Sequence, residues 1–254
     1  MTFATYPSLA GRVAFVSGGA SGIGAAIVRA FARNDCRVAF IDIDETAGHA
    51  LAAELTDSGR HVLFQRADVT DIEALRQSIA QARAQLGPIA VLVNNAANDE
   101  RHAVAAVDVD YWDRALNVNL RHHFFAAQAV HAHMRELGHG SIINLASIAW
   151  RGGGGDFPAY ATAKAGIVGL TRALARAFGP DNIRVNAIEP GAVMTERQRR
   201  LWYTSQASID AFVQRQSLKA TLLEEEIARA ALFLAADDSR MITKQSLIVD
   251  AGLR

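Results

Sequence analysis

The chain has 254 residues, half of them apolar, and its 26 Lys and Arg balance 26 Asp and Glu. That apolar content excludes a disordered chain, the balance gives no reason to expect a nucleic acid or a membrane surface as partner, and the length suits one large α/β domain. The start, Met1 to Gly11, lacks a secretory leader's basic and apolar segments, no run approaches the ~20 apolar residues of a membrane span, and the lone Cys36 has no partner for an internal disulfide, so the expectation is a cytoplasmic protein.

The first strand is predicted over Arg12–Ser17 and the first helix over Gly22–Arg33. Between them lies Ser17-Gly18-Gly19-Ala20-Ser21-Gly22-Ile23-Gly24. Such a turn lets the backbone approach a pyrophosphate, and the helix N-terminus offers free N–H groups and a positive dipole end. The spacing is G-x3-G-x-G, and alone it fits an ordinary glycine-rich turn as well. Gly18, Ser21, Gly22, Ile23 and Gly24 are the candidate cofactor residues of this loop. The second strand, Arg37–Asp42, ends in an acid 18 residues after Gly24. Asp42 there can accept hydrogen bonds from an adenosine ribose and would repel a 2′-phosphate. No basic residue follows in Ile43-Asp44-Glu45, which favours NAD over NADP. A helix over Thr46–Ser58, a strand over His61–Arg66 and a helix over Ile72–Gln85 come next, and Asp68 and Val69 sit where an adenine edge could be met. The fourth strand, Ile89–Asn94, runs into Asn95-Ala96-Ala97, at the crevice side of the sheet.

Then follow one long helix over Tyr111–Leu137, a strand over Ser141–Ala146, a helix over Ala159–Phe178, a strand over Arg184–Glu189, a helix over Leu223–Ala236 and a last strand over Ser246–Val249. The strands are apolar on both faces, such as Ile89-Ala90-Val91-Leu92-Val93, as befits strands covered by helices on both sides. Their alternation with helices implies right-handed βαβ units and a seven-stranded parallel sheet in a single domain, 1–254. The polar stretch Thr195–Ala220 breaks the pattern and is expected to form a substrate lid.

Tyr160 and Lys164 stand at i and i+4, on one face of their helix. A phenol ordinarily has a pKa near ~10, and a neighbouring ammonium favours its phenolate, so Tyr160 can exchange a proton with a substrate oxygen. Ser147 ends the fifth strand 13 residues earlier, where its hydroxyl could join them.

With these residues in view, the chain resembles the short-chain dehydrogenase/reductases over essentially its full length. The Gly18–Gly24 loop, Asn94–Ala97, Ser147, Tyr160, Lys164 and Pro190-Gly191 carry the resemblance. It implies a Rossmann fold, a nicotinamide cofactor and a dimer or, more usually, a homotetramer. It assigns Tyr160 as acid/base, Ser147 as the hydroxyl that holds the reacting oxygen, and Lys164 as the group that binds the nicotinamide ribose and tunes Tyr160. Asn119 matches a fourth member that holds a water in a proton relay. Asn94 and Asn95 belong to the cofactor crevice, as do Pro190 and Gly191, while Val193 and Thr195 match positions that hold the carboxamide. Ala97 departs from the family, whose members mostly carry glycine there.

The substrate is read from less general segments. Asn98-Asp99-Glu100-Arg101-His102 is polar for a crevice rim, which suits a polyhydroxylated substrate better than a steroid or acyl chain. The segments Asn94–His102, Tyr111–Val130, Gln198–Thr204 and Asp250–Arg254 resemble the sugar-specific branch, the NAD(P)-dependent aldose 1-dehydrogenases acting on xylose, arabinose, fucose or similar. That resemblance implies oxidation of C1 of a free aldose to a lactone. Asn98, Trp150 and Glu189 are the candidate substrate contacts beside Ser147 and Tyr160. A polyol, a secondary alcohol or a 3-oxoacyl group are the alternative substrates, and a non-catalytic dinucleotide-binding regulator is the remote alternative in function. The run Gly152–Gly155 leaves the pocket width open. His122, His123, His131 and His133 lie along one helix without an acidic partner at ligand spacing, so no metal is expected and they read as surface or interface residues.

Overall fold

The computed structural model describes residues 3–254; Met1 and Thr2, which the one-domain reading includes, lie outside the described residues. Seven parallel strands form one sheet in the order β3-β2-β1-β4-β5-β6-β7. They are β1 (Val13–Ser17), β2 (Arg37–Asp42), β3 (Val62–Arg66), β4 (Ile89–Asn94), β5 (Gly140–Leu145), β6 (Ile183–Pro190) and β7 (Ser246–Val249). The helices are α1 (Gly22–Arg33), α2 (Glu45–Asp57), α3 (Ile72–Leu86), α4 (Val109–Leu116), α5 (His122–Leu137), α6 (Ala149–Gly152), α7 (Pro158–Phe178), α8 (Glu196–Leu201), α9 (Gln206–Val213) and α10 (Glu224–Ala235).

Strand side chains alternate between two cores, because successive residues of a strand point to opposite faces. Ala14 and Val16 of β1 pack with Val28 and Phe31 of α1, Leu51 of α2 and Ile227 of α10. Val13 and Phe15 pack on the other face with Leu75 of α3, Val130 of α5 and Leu174 of α7. Both faces are thus helix-covered, which is why the strand sequences lack a polar face. The chain runs from β1 outward to β3 and then returns past β1 to β4. That reversal opens a crevice at the carboxyl ends of β1 and β4, the switch point where such sheets bind ligands.

Two local departures from the sequence reading bear on the site. The predicted helix over Tyr111–Leu137 begins earlier, at Val109, and a π-helical turn over Asn117–Arg121 separates α4 from α5. A π turn inserts one residue into the helix, and such insertions cluster at functional sites. The segment from Thr195 to Ala220 contains no strand but does fold into α8 and α9, the first capped by the Thr195 hydroxyl and the second by Ser205. No helix among the described residues is long and apolar enough to cross a membrane.

Candidate active site

A crevice of about 1200 Å³ runs along the carboxyl edge of the sheet. At one end it is lined by Gly18, Ser21, Gly22, Ile23, Gly24, Asp42, Asp68, Val69 and Asn95, and further along by Ser147, Tyr160, Lys164, Pro190, Gly191, Val193 and Thr195. These residues, drawn from six strand ends, are the ones expected from the sequence. Asn94, Asn98, Trp150 and Glu189 are not among the residues that line it.

The glycine loop is shaped by close approaches. A methyl group on Gly24 would collide with the carbonyl oxygen of Gly18, and one on Gly18 would come within 2.7 Å of the Ala96 backbone. Gly18 and Gly22 also take φ of +65° and +50°, which side chains avoid. Asn95 braces the loop from β4: its Nδ2 donates to the carbonyls of Ser17 at 3.1 Å and Gly18 at 2.8 Å. The backbone N–H groups of Asn95 and Ala96 donate in turn to Ser17 Oγ. Ser21 precedes α1 without making a side-chain cap, and the first turn of α1 carries no acid. By contrast α2, α3 and α10 start with Glu45, Glu73 and Glu224–Glu226. The α1 terminus therefore faces the crevice with its positive end unneutralised. Asp42 holds its place by accepting from the N–H groups of Ala20 at 3.0 Å and Asp44 at 3.1 Å. Thr195 meets the Cα side of Gly22 across the crevice, 3.3 Å from where a methyl would stand. A close backbone approach, a free helix terminus and an acid at the end of β2 together fit a dinucleotide.

Tyr160 stands on α7 at the middle of the crevice. Burial and, after it, the Asp99 carboxylate raise its pKa above the ordinary phenolic value, while Ser147 pulls the other way. Lys164 is buried below it, with Nζ donating to the Leu145 carbonyl at 2.7 Å and lying 5.4 Å from the centre of the Tyr160 ring. Burial lowers the Lys164 pKa to about 7, and Asp99 opposes this. Burial thus outweighs the expected pull of the ammonium in the free protein: both groups are displaced toward their neutral forms, because a dry site penalises charge. Ser147 Oγ accepts from the Ala149 N–H at 3.1 Å, and the residue lines the crevice.

Asn119 lies in the π turn and is almost fully buried. Its Nδ2 donates to the carbonyls of Ala115 at 2.9 Å and Asn98 at 3.0 Å, and its Oδ1 accepts from the Asn98 N–H at 2.9 Å. It thereby fixes the segment that follows β4.

Several expected contacts sit elsewhere. Asn94 is fully buried, and its Nδ2 donates to Asn144 Oδ1 and the His123 carbonyl, so its side chain braces β4 against β5 beneath the crevice. The Asn98 side chain is engaged by Arg197 Nη2 at 2.8 Å. Glu189 is wholly buried and is held by Arg151 through two bonds, of 2.6 and 2.9 Å, and by Trp150 Nε1 at 3.0 Å. Carboxylate and indole satisfy each other and tie α6 to β6. The histidines also differ from the expected surface positions. His122 and His123 are fully buried and His133 nearly so, while His131 pairs with Asp181 at 2.8 Å. Burial first, and then Lys164, holds His122 down at about 3, so it is neutral. No group of three His, Cys, Asp or Glu residues that could hold a metal gathers among the described residues.

Among the crevice residues that sequence reasoning did not single out is Asp99, which lines the same crevice as Tyr160. The polarity of its segment was visible, but which residue of that segment turns inward was not. Another is Arg254, which also lines the crevice and lies over Gly152, where a methyl would meet its guanidinium. The buried Asp250 holds this tail by accepting from the N–H groups of Gly252 and Arg254. Within the Gly152–Gly155 run, Gly154 makes room for the Phe157 ring, which sits 2.7 Å from a methyl placed there.

A family model described as enoyl-(acyl carrier protein) reductase matches residues 18–254. A probable galactose dehydrogenase of Rhizobium meliloti (strain 1021) is 50% identical over 249 residues, 98% of this chain and 97% of that protein. D-xylose 1-dehydrogenase of Caulobacter vibrioides is 45% identical over 254 residues, the whole of both chains. A short-chain dehydrogenase/reductase from Serratia marcescens superposes with a TM-score of 0.89 at 37% identity, covering 97% of this chain and 99% of its own. A blue fluorescent protein from a metagenomic library, solved in complex with NADPH, gives the same score at 38% identity and the same coverage. The chain belongs to the short-chain dehydrogenase/reductase family and is an NAD(P)-dependent oxidoreductase acting on CH–OH groups.

Proposed function

We propose that this enzyme oxidises C1 of a free aldose, a pentose, hexose or 6-deoxyhexose, to a sugar lactone with NAD as acceptor. The observation that carries the reading is a crevice in which Ser147, Tyr160 and Lys164 stand beside the dinucleotide cradle under a rim of charged and polar side chains, among them Asp99, Arg101, Arg197 and Gln198. Such a rim solvates hydroxyl groups and disfavours an acyl chain. The names of the two relatives at 50% and 45% identity point to galactose and D-xylose.

In this reading the C1 hydroxyl is held between Ser147 Oγ and the Tyr160 oxygen. Tyr160 takes the hydroxyl proton as general base while C1 gives up its hydride and becomes the lactone carbonyl carbon. A bound nicotinamide dinucleotide would supply the hydride acceptor. Gly18, Ser21, Gly22, Ile23 and Gly24 would cradle its pyrophosphate, Asp42 its adenosine ribose, and Asp68 with Val69 the adenine. Lys164 would hold the nicotinamide ribose, with Pro190, Gly191, Val193 and Thr195 around the carboxamide. The acid at Asp42, with both oxygens turned to backbone N–H groups and no cation bonded to it, favours NAD over NADP. The segment 195–220 acts as the lid, bonded to the rim through Arg197 and Gln198. A homotetramer accords with exposed Leu247 and Ile248 on the edge strand β7 and Phe124 on α5, and light scattering of the purified protein tests it.

The deciding experiment is initial-rate reduction of NAD and of NADP with L-fucose, D-arabinose, L-arabinose, D-xylose and D-galactose. Turnover of at least one sugar, with a lactone as product and NAD preferred, is expected. No turnover of any aldose by protein that binds NADH would overturn the reading. A polyol is the second reading, favoured by a D-threitol dehydrogenase of Mycolicibacterium smegmatis that is 37% identical over 245 residues; turnover of threitol with none of any aldose would establish it.

A further inference from the structure

The segment after β4 presents one carboxylate to the crevice, that of Asp99. It is held from the opposite wall by two residues of α8. Arg197 Nε donates to Oδ1 at 3.3 Å and Gln198 Nε2 to Oδ2 at 2.5 Å. An ionised carboxylate has about four lone-pair sites, so each Asp99 oxygen keeps room for one more donor. The backbone beneath it is rigid, because Asn119 bonds both the N–H and the carbonyl of Asn98. On the far side Arg101 pairs with Asp156 at 3.0 Å and stacks over Trp202, so that cation is engaged elsewhere. Asp99 lines the same crevice as Tyr160 and Lys164, and its charge favours the protonated form of both. A polyhydroxylated substrate seated on Tyr160 would therefore share the crevice with an acceptor that is braced from α8 and from the segment beneath it.

We propose that Asp99 is a specificity-determining residue, a carboxylate held between the β4 segment and the lid that accepts a hydrogen bond from a ring hydroxyl of the aldose. This rests on the aldose reading given above. The hydroxyl is the donor and Asp99 the acceptor, so an analogue with fluorine in place of that hydroxyl loses the bond while keeping its shape. A bond to an ionised acceptor in a partly dry site is worth about 10- to 100-fold in kcat/KM.

The test uses the whole enzyme, its best aldose, and the set of deoxyfluoro analogues of that sugar with one non-anomeric hydroxyl replaced at a time. For the parent enzyme, one analogue should lose about 10- to 100-fold in kcat/KM relative to the sugar. In Asp99→Ala that same substitution should cost less than about 3-fold, with NADH affinity unchanged. Asp99→Asn, nearly the same shape, serves if the alanine variant does not fold and should show a reduced penalty. Equal penalties in the parent and in folded Asp99 variants would overturn the proposal. So would a parent enzyme that oxidises the aldose but is indifferent to every fluorine. A parent that oxidises no aldose overturns the aldose reading itself, and the Asp99 role with it.

Discussion

Tyr160 sits where its proton is hard to remove. Burial and the Asp99 charge both raise its pKa, so the phenolate is the minor form at neutral pH and its fraction grows roughly tenfold per pH unit below the pKa. Oxidation consumes the phenolate, so kcat/KM for the aldose should climb from about pH 7 to about pH 9 on the ordinary phenol scale. Loss of the Lys164 proton above about 7 works against this and should make the slope shallower than one decade per unit. Removing a negative charge lowers a neighbouring phenol pKa, so Asp99→Asn should move the same rise to lower pH. An oxidation rate that falls from about pH 7 to about pH 9 would exclude Tyr160 as the base. Tyr160→Phe removes the proton acceptor; turnover should fall by at least about 100-fold, while NADH binding, read by fluorescence, stays within error.

Buried polar clusters fix the elements around that tyrosine, and they are where the sequence was least legible. The strands and most helices could be read because their apolar periods extend over many residues. The π turn at Asn117–Arg121 could not, since one extra residue within a continuous apolar helix leaves no periodic trace. The candidate catalytic residues were legible because Tyr160 and Lys164 are close in sequence and Ser147 marks a strand end. Glu189 and Trp150 stand 39 positions apart, and nothing local announces that one accepts from the other. Each was read as a substrate contact, and in the structure the two are bonded to each other. That strut gives its own prediction. Glu189→Gln neutralises a fully buried acceptor of three hydrogen bonds, but Arg151 is partly exposed and can regain water. The expected loss is about 1–3 kcal/mol in urea unfolding. The loop that carries Ser147 is anchored there, so kcat should fall while NADH affinity changes little. A variant as stable as the parent would show that the strut carries no net stability.

At the scale of the molecule, the crevice joins two halves of one sheet. Strands β1 to β3 carry the glycine loop and Asp42, and β4 to β7 carry Ser147, Pro190 and the segment that leads to the lid. A dinucleotide long enough to span both halves binds the folded sheet and not the unfolded chain, so it stabilises by mass action, about 2.7 kcal/mol at a hundred times its Kd. NADH should therefore raise Tm, and more than NADPH does at equal concentration if the Asp42 carboxylate repels a 2′-phosphate. Asp42→Ala removes that repulsion together with the ribose contact. It should shrink the NADH shift and leave the NADPH shift equal or larger. Gly24→Ala places a methyl against the Gly18 carbonyl and should abolish both shifts, because the loop cannot close on α1. The two variants separate the cradle from the selector. If Asp42→Ala lowered both shifts alike, the acid would be holding the Ala20 and Asp44 backbone in place and not choosing between the two dinucleotides.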